Sequence, residues 1–250
     1  MVQAIKWASQ QQIPILILGK GSNCLFSDRG FEGLAILNKI DFIEWGEGRI
    51  EVGSGYSFSL LGVQSARKGW SGLEFASGIP ATVGGAIFMN AGANGKETAD
   101  SLASVRFLSM DGKIDSFQRN ELQYSYRTSP FQMMKGVILD AVFVLKEDPA
   151  ARKTQLQIVD TRIKTQPLKE KSAGCIFRNP GHGLSAGALI EQSGLKGVFV
   201  GGAKVSEIHA NFIVNSGGAT ADDVKRLIRL IQERVKEAKG IDLECEVRIL

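Results

Sequence analysis

The sequence predicts an α+β protein made of two lobes. Strand-length apolar runs are interleaved with amphipathic helical segments along the 250 residues. Asp111 and Gly112 separate two such runs in the manner of a β-hairpin turn. The composition then shifts at residues 146–149, where a polar helical segment begins. We therefore expect one domain at residues 1–147 and a second at 148–250.

The first lobe begins with apolar residues at helical spacing and continues into a buried-strand run that stops at Gly19. A second helix has Ser57 as a candidate N-cap and Gly69 as its stop. The strands are short apolar runs bounded by turn residues. The predicted elements are helices at 2–10 and 56–68 and strands at 13–18, 34–37, 49–52, 105–109, 114–117 and 137–145.

The second lobe contains the clearest helix of the chain. Thr220 and Asp223 resemble a capping box, an apolar stripe follows, and Gly240 stands at the end. Residues 244–250 alternate in polarity as a final strand does. The predicted elements are helices at 150–164, 184–192 and 220–239 and strands at 212–215 and 244–250.

The composition excludes several classes of protein. With 44% hydrophobic and 22% charged residues, the chain is ordinary globular protein, and no apolar run reaches membrane-spanning length. Three cysteines without a CxxC pair and two histidines argue against a disulfide framework or a metal site. His182 is expected in a loop and His209 in a structural role. The net charge of +4 is spread along the chain, which favours a small anionic ligand over nucleic acid. We expect a cytoplasmic monomer without membrane attachment.

Glycine is the unusual residue, at 29 of 250, and it gathers in stretches at 19–33, 72–95 and 174–202. Glycine permits positive φ and close backbone approach, so these stretches suggest a large ligand held by backbone groups. The GKGSN segment that begins at Gly19 fits neither GxGxxG, since Cys24 stands at the third glycine, nor a Walker A loop. A backbone nest for a pyrophosphate and a plain turn both remain open. A tight structural corner is the alternative for residues 76–95.

Three further segments carry candidate chemical groups. Cys175 follows Gly174 near Arg178, as an exposed acid or nucleophile would, although a small buried cysteine is the commoner case. Arg127 lies among hydroxyls and aromatic rings, which suits an anion, or forms a surface salt bridge. Glu246 and Arg248 share one face of the last strand, which is otherwise a solvated face.

Taken together, these segments resemble the UDP-N-acetylenolpyruvoylglucosamine reductase family over nearly the whole chain. The order and spacing of the motifs carry the resemblance, because each motif alone is weak. The matching segments are GKGSN with Asp28 and Gly33, GIPATVGGAIFMNAGANG, YSYRTS, SAGCIFRNP, LIEQSGLKG, GGAKVSEIHANFIVN and LECEVRIL. The resemblance implies a vanillyl-alcohol-oxidase (PCMH-type) FAD-binding lobe with a smaller α+β substrate-binding lobe, in the smaller type II form.

The resemblance also implies a reaction. NADPH reduces FAD, and flavin N5 then gives a hydride to the methylene carbon of UDP-N-acetylglucosamine enolpyruvate. An enzymic acid protonates the neighbouring carbon to give UDP-N-acetylmuramate, a precursor of peptidoglycan. Arg127 would hold the substrate carboxylate, and a protonated Glu246 would assist there. Cys175 stands where most family members carry a serine proton donor, and we expect the thiol to take that role.

The remaining positions implied by the resemblance are contacts to cofactor and substrate. The cofactor set is Gly19, Lys20, Gly21, Ser22, Asn23, Gly78, Ile79, Pro80, Val83, Gly84, Gly85, Asn90, Gly92 and Gly95. The substrate set is Tyr126, Asn179, Asn211 and Arg248. No metal is expected. Family members usually carry a further segment before residue 2, so either the sequence is truncated or the flavin lobe lacks an edge. The resemblance also implies that the final strand of the second domain returns to the active site. Another flavoprotein oxidoreductase of the same fold, or a non-catalytic flavin or sugar-nucleotide module, are the alternatives.

Overall fold

The chain forms two compact units, each assembled from two separate stretches of sequence. The computed structural model describes residues 1–181 and 183–250, so the loop expected at His182 lies outside the described residues. Unit 1 comprises Met1–Lys20 and Glu32–Thr161, and unit 2 comprises Gly21–Phe31 and Arg162–Leu250. These units differ from the predicted division after residue 147. The segment Gly21–Phe31 joins the C-terminal unit, and most of the helix Ala151–Thr165 belongs to unit 1.

The helices and strands have the following bounds. The helices are α1 (Val2–Gln10), α2 (Phe58–Arg67), α3 (Val83–Met89), α4 (Ala151–Thr165), α5 (Ala186–Gln192) and α6 (Ala221–Lys239). The strands are β1 (Ile15–Leu18), β2 (Cys24–Leu25), β3 (Leu34–Leu37), β4 (Ile43–Trp45), β5 (Arg49–Gly53), β6 (Trp70–Ser71), β7 (Gly92–Ala93), β8 (Lys96–Glu97), β9 (Leu102–Ser109), β10 (Ile114–Gln118), β11 (Gly136–Val144), β12 (Lys146–Glu147), β13 (Ser172–Cys175), β14 (Phe199–Val200), β15 (Ala203–Val205), β16 (Phe212–Asn215) and β17 (Arg248–Ile249).

Unit 1 is organised by an antiparallel sheet in the order β10-β9-β11-β5-β4. The β9–β10 hairpin confirms the turn predicted at Asp111 and Gly112. Helices α2 and α3 pack on this sheet over a core of buried aliphatic and aromatic side chains, with Phe58 and Phe143 fully buried. A parallel pair, β1 and β3, lies apart from this sheet and is joined to it through the small cluster around Ile5, Leu108 and Val137. Burial of these side chains supplies the main stabilisation of the unit.

Helix α3 lies inside the glycine-rich stretch that the sequence predicts as a loop. Thr82 caps it by accepting a hydrogen bond from the Gly85 N–H at 3.2 Å. Glycine is a poor helix former, which hides the helix from a propensity-based prediction. Its presence here has a packing cause, since a Cβ on Gly84 would lie 2.9 Å from the Cβ of Ser54. Close approach of α3 to this backbone therefore selects glycine.

Unit 2 is organised by an antiparallel sheet in the order β13-β16-β15-β14, covered by α5 and α6. The early segment Gly21–Phe31 belongs to this unit because β2 pairs in parallel with β17. The Asp28 carboxylate also accepts hydrogen bonds from the Ala221 and Asp222 N–H groups at the start of α6. The predicted final strand is shorter than expected, with only Arg248–Ile249 in a ladder and Cys245 in an isolated bridge to Phe177.

Among residues 1–181 and 183–250, no helix is long and apolar enough to cross a bilayer. The same part of the chain holds no cluster of His, Cys, Asp or Glu able to bind a metal ion.

Asp223, at the N-terminus of α6, makes the folding stability of the protein depend on pH. Hydrogen bonds from the Thr220 backbone, the Arg226 side chain and the Gly202 backbone hold the pKa of Asp223 at about 2, below its ordinary value. The ionised carboxylate therefore stabilises the fold at pH values above the unfolded pKa of about 3.9, and that contribution disappears as the pH falls through about 2. Asp223→Asn should lower the thermal unfolding midpoint at neutral pH, and the difference from wild type should shrink as the pH approaches about 2.

Thermal melts across this pH range measure the effect. Asp222→Asn is the matched control, because Asp222 is exposed and its side chain forms a surface ion pair with Arg226. A constant difference between Asp223→Asn and wild type at every pH would contradict the assignment.

Candidate active site

The loop after β1 presents a run of unused backbone donors. Within residues 1–181 and 183–250, the N–H groups of Gly19, Lys20, Gly21, Ser22 and Asn23 have no hydrogen-bond acceptor. Gly21 has φ 68°, and a Cβ added there would meet nothing within 4 Å. Consecutive N–H groups around a glycine with positive φ form an anion-binding nest. This loop therefore fits a pyrophosphate by its backbone alone.

The second glycine-rich segment differs from this loop, because the protein already uses most of its N–H groups. Val83 donates to the Tyr56 carbonyl at 2.9 Å and Gly84 to the Ser54 carbonyl at 2.8 Å. Gly78 donates to Ser59 Oγ at 2.7 Å. The N–H groups of Ile79, Ala81 and Gly85 also have protein acceptors. The segment can contribute shape and apolar contact to a ligand, while the loop at 19–23 offers the donors.

The start of that loop is built against α3. A Cβ on Gly19 would lie 2.3 Å from Thr82 Oγ1, so only glycine fits there while Thr82 caps α3. Lys20 Nζ donates to Ser57 Oγ at 2.9 Å. Ser57 precedes α2 but makes no capping hydrogen bond of its own. These contacts fix where the loop leaves β1.

Arg127 occupies a tight turn with a strained backbone. Its φ is 56°, a left-handed conformation that is uncommon outside glycine, and the turn is closed by hydrogen bonds between Ser125 and Thr128. The guanidinium donates to the Gly92 carbonyl at 3.0 Å and lies 4.8 Å above the Tyr126 ring. Strain of this kind concentrates at functional sites. The structure thus brings together three predicted site residues, Arg127, Tyr126 and Gly92.

Asn90 holds this turn in place. Its amide donates to the Ser125 carbonyl at 2.9 Å and to Glu97 Oε2 at 2.7 Å, and its Oδ1 accepts from the Ala99 N–H at 3.1 Å. The residue is fully buried at the left-handed end of α3. These contacts give Asn90 a structural role behind the Arg127 turn, and they leave its predicted cofactor contact without support.

Asn90→Ala should destabilise unit 1 by about 2 kcal/mol, because the buried groups that bond to the Asn90 side chain would lose their hydrogen-bond partner. Denaturant unfolding measures this loss. Asn94→Ala is the matched control, since Asn94 is also left-handed, with φ 54°, but is exposed. Equal losses in the two variants would show that backbone conformation, and not the buried amide, accounts for the effect.

Cys175 ends strand β13 and faces the partner residue Phe212 in the ladder. It is half-buried, which lies between the exposed nucleophile and the buried cysteine that the sequence leaves open. Its cationic neighbour in unit 2 is Arg162, a residue that the sequence analysis missed. Burial lowers the pKa of Arg162, and its electrostatic interaction with Cys175 opposes that shift. Arg162 lies near the end of the polar helix α4, where the sequence pattern shows only an ordinary helix terminus.

Asn211 holds the backbone that follows Cys175. Its Oδ1 accepts from the Phe177 N–H at 2.9 Å, and its amide donates to the Phe177 carbonyl at 2.8 Å. The residue is only 4% exposed, so the predicted substrate contact has no support in this geometry. Asn179 is exposed, with its Oδ1 accepting from the Ala186 N–H at 3.0 Å. Asn179 therefore remains a candidate for substrate binding.

Glu246 lies on the backbone segment beside Cys175. Its N–H donates to the Ile176 carbonyl at 2.7 Å, and its own carbonyl accepts from the Asn23 side-chain amide at 3.2 Å. Arg248 pairs with Cys24 in the β2–β17 ladder. Burial raises the pKa of the Cys24 thiol, and the charge of Arg248 opposes that shift. Unit 2 thus contains the Cys175 thiol with Arg162 as a charged neighbour, and the backbone of Glu246 is bonded to the residue that follows Cys175. A thiol and a carboxyl group are both candidates for proton transfer.

Comparison with known proteins agrees with this reading. A family model described as the C-terminal domain of UDP-N-acetylenolpyruvoylglucosamine reductase matches residues 166–250. A second model, described as an FAD binding domain, matches residues 1–117. The match of an FAD-binding domain to the first part of the chain confirms the predicted fold class.

Curated relatives and a solved structure extend the similarity to the whole chain. A UDP-N-acetylenolpyruvoylglucosamine reductase from Protochlamydia amoebophila is 61% identical over 249 residues, covering 99% of this chain and 83% of the relative. That from Chlamydia muridarum is 52% identical, covering 95% of this chain and 80% of the relative. The crystal structure of the reductase from Thermus caldophilus has a TM-score of 0.85 and 40% identity, covering 100% of this chain and 89% of that one.

Proposed function

Because the chain belongs to the UDP-N-acetylenolpyruvoylglucosamine reductase family, we propose that it reduces UDP-N-acetylglucosamine enolpyruvate to UDP-N-acetylmuramate with NADPH as the electron source. It is an FAD-dependent oxidoreductase of this family. The proposal concerns the nucleotide partners, the course of the hydride and the proton donor. We also propose that it works in the cytoplasm.

The observation that best supports the cofactor is the run of N–H groups at residues 19–23 for which the described part of the chain offers no acceptor. These groups would hold the FAD pyrophosphate, and the segment from Gly78 to Gly85 would contribute shape beside it. Bound FAD supplies the hydride from its N5 atom. The open space at Gly21, where an added Cβ would meet nothing within 4 Å, fits close approach by such a ligand.

The proposed role of Arg127 follows from the charge that the substrate acquires. Hydride addition to the methylene carbon places negative charge on the neighbouring carbon and its carboxylate. A guanidinium binds a carboxylate through two parallel hydrogen bonds and stabilises the growing charge. Arg127 is held in a fixed turn and stacked on Tyr126, so its side chain is oriented before substrate arrives.

Cys175 is the proposed proton donor, with Glu246 and Arg162 as its supporting groups. The thiol proton goes to the carbon next to the carboxylate, and the thiolate that remains is stabilised by the nearby Arg162 cation. Glu246 is held beside this segment through the Ile176 carbonyl. A protonated Glu246 donates a hydrogen bond to the substrate carboxylate without charge repulsion. Arg248 and Asn179 are proposed as substrate contacts.

Anaerobic spectroscopy of the purified protein tests the function. NADPH should bleach the visible flavin band, and UDP-N-acetylglucosamine enolpyruvate should restore it. If NADPH bleaches the flavin but only oxygen reoxidises it, the protein would be a different flavoprotein oxidoreductase. A protein that binds flavin but does not bleach with NADPH would be a binding module. Either result would overturn the proposal.

A further inference from the structure

We propose that the side-chain amide of Asn23 is a positioning group for Glu246, so that the loop expected to hold FAD also sets the proton-transfer machinery. This inference rests on the proposed function for the role of Glu246. It assigns the Asn23 side chain a task separate from the cofactor contact that the sequence analysis gives to this residue.

The first support is the way Glu246 is held from two sides. The Ile176 carbonyl, directly after Cys175, accepts from the Glu246 N–H at 2.7 Å. On the other side, Asn23 Nδ2 donates to the Glu246 carbonyl at 3.2 Å. One peptide group thus links Glu246 to the thiol segment, and the other links it to the early loop. Of these two hydrogen bonds, only the one from Asn23 uses a side chain, so a substitution can remove it.

The second support is the ladder that continues from Asn23. Its carbonyl accepts from the Arg248 N–H at 3.0 Å, and β2 then pairs with β17. The Ser27 N–H donates to the Leu250 carbonyl at 2.7 Å, which fixes the end of the chain. The ladder fixes residues 248–250, but Glu246 precedes it. The hydrogen bond from the Asn23 side chain therefore holds Glu246, two residues before the start of this ladder.

The third support is that the Asn23 N–H has no acceptor within residues 1–181 and 183–250. That N–H belongs to the run of donors at residues 19–23, while the side chain points to the terminal segment. Backbone and side chain of Asn23 therefore serve different partners. A side-chain substitution should separate flavin binding from the chemistry of Glu246.

The test compares Asn23→Ala and Asn23→Asp, both of which lack the amide donor. Both should keep the flavin content and the bleaching rate with NADPH. Reoxidation by the enolpyruvate nucleotide should slow about tenfold or more, since a small misplacement of a catalytic group has effects of this size. The pH profile of that half-reaction should also shift, which a purely structural defect would not cause. Asn120→Ala and Asn120→Asp are matched controls at an exposed asparagine in unit 1.

Hydrogen–deuterium exchange provides a readout that needs no turnover. Amides in the peptide covering residues 244–250 should exchange faster in both Asn23 variants and at the wild-type rate in the Asn120 variants. Loss of flavin in Asn23→Ala would show that the side chain is a cofactor contact and would overturn the proposal. Unchanged exchange would overturn it as well. Failure of wild type to be reoxidised by the nucleotide would instead refute the proposed function, with the exchange experiment still deciding the contact.

Discussion

Cys175→Ala should slow reoxidation of the reduced flavin by the enolpyruvate nucleotide by about 10²- to 10⁴-fold, the usual contribution of a positioned general acid. Bleaching by NADPH should be nearly unchanged, because that half-reaction needs no proton from Cys175. Stopped-flow absorbance measures the two halves separately. Slow reoxidation with normal reduction by NADPH is expected for loss of a proton donor, since a general folding defect would slow both half-reactions.

Cys175→Ser is the informative companion variant. A hydroxyl can donate the same proton, and the resemblance places a serine at this position in most family members. We expect this variant to retain most of the activity and to resist inactivation by iodoacetamide. Cys245→Ala is the control for cysteine loss, because Cys245 is half-buried in the same unit. Full activity in Cys175→Ala would refute the assignment.

The sequence predicts those elements whose signals are local. Helix α6 has its capping box at Thr220 and Asp223 and its left-handed Gly240, and all three are found as expected. Helix α1 and strand β3 also have the predicted bounds. In each case the residues that define the element lie within the element or next to it, so that a local pattern suffices.

Elements that depend on distant partners were missed. Helix α3 contains glycines because Ser54 lies against it, and no local pattern reveals that contact. The early segment Gly21–Phe31 joins unit 2 because β17, at the opposite end of the chain, pairs with β2. A division placed by composition along the chain cannot detect such a pairing. The final strand was overestimated because alternation of residue types persists where the ladder does not.

The sequence also predicts only part of the candidate site. Motif resemblance indicates candidate functional residues, and Gly21, a candidate for binding through its backbone, has a positive φ with open space where a Cβ would lie. It does not separate residues that contact a ligand from residues that hold the backbone behind them. Asn90 and Asn211 match family motifs, yet their amides are used by the protein itself. Arg162 has no distinctive local pattern and becomes a candidate only through its interaction with Cys175.

Arg127 should be nearly as important as Cys175, with Arg127→Asn reducing nucleotide-dependent reoxidation by about 10²- to 10³-fold, as loss of a donor to developing charge does. Asparagine is the suitable replacement because Arg127 has φ 56° and asparagine tolerates that conformation. The effect then reports the loss of the guanidinium and not backbone strain. Arg127→Lys keeps the charge without the two-pronged geometry and should recover only part of the rate.

The division of the Arg127 effect between kcat and KM identifies the stage at which the guanidinium acts. If it stabilises the charge that appears during hydride addition, kcat falls; if it only binds the substrate carboxylate, KM rises while kcat is kept. We expect the fall in kcat, because the guanidinium is already oriented by Tyr126 and the Gly92 carbonyl. Arg229→Asn is the control at an exposed arginine of α6. A rise in KM alone would leave Arg127 as a binding residue and assign charge stabilisation to the cations of unit 2.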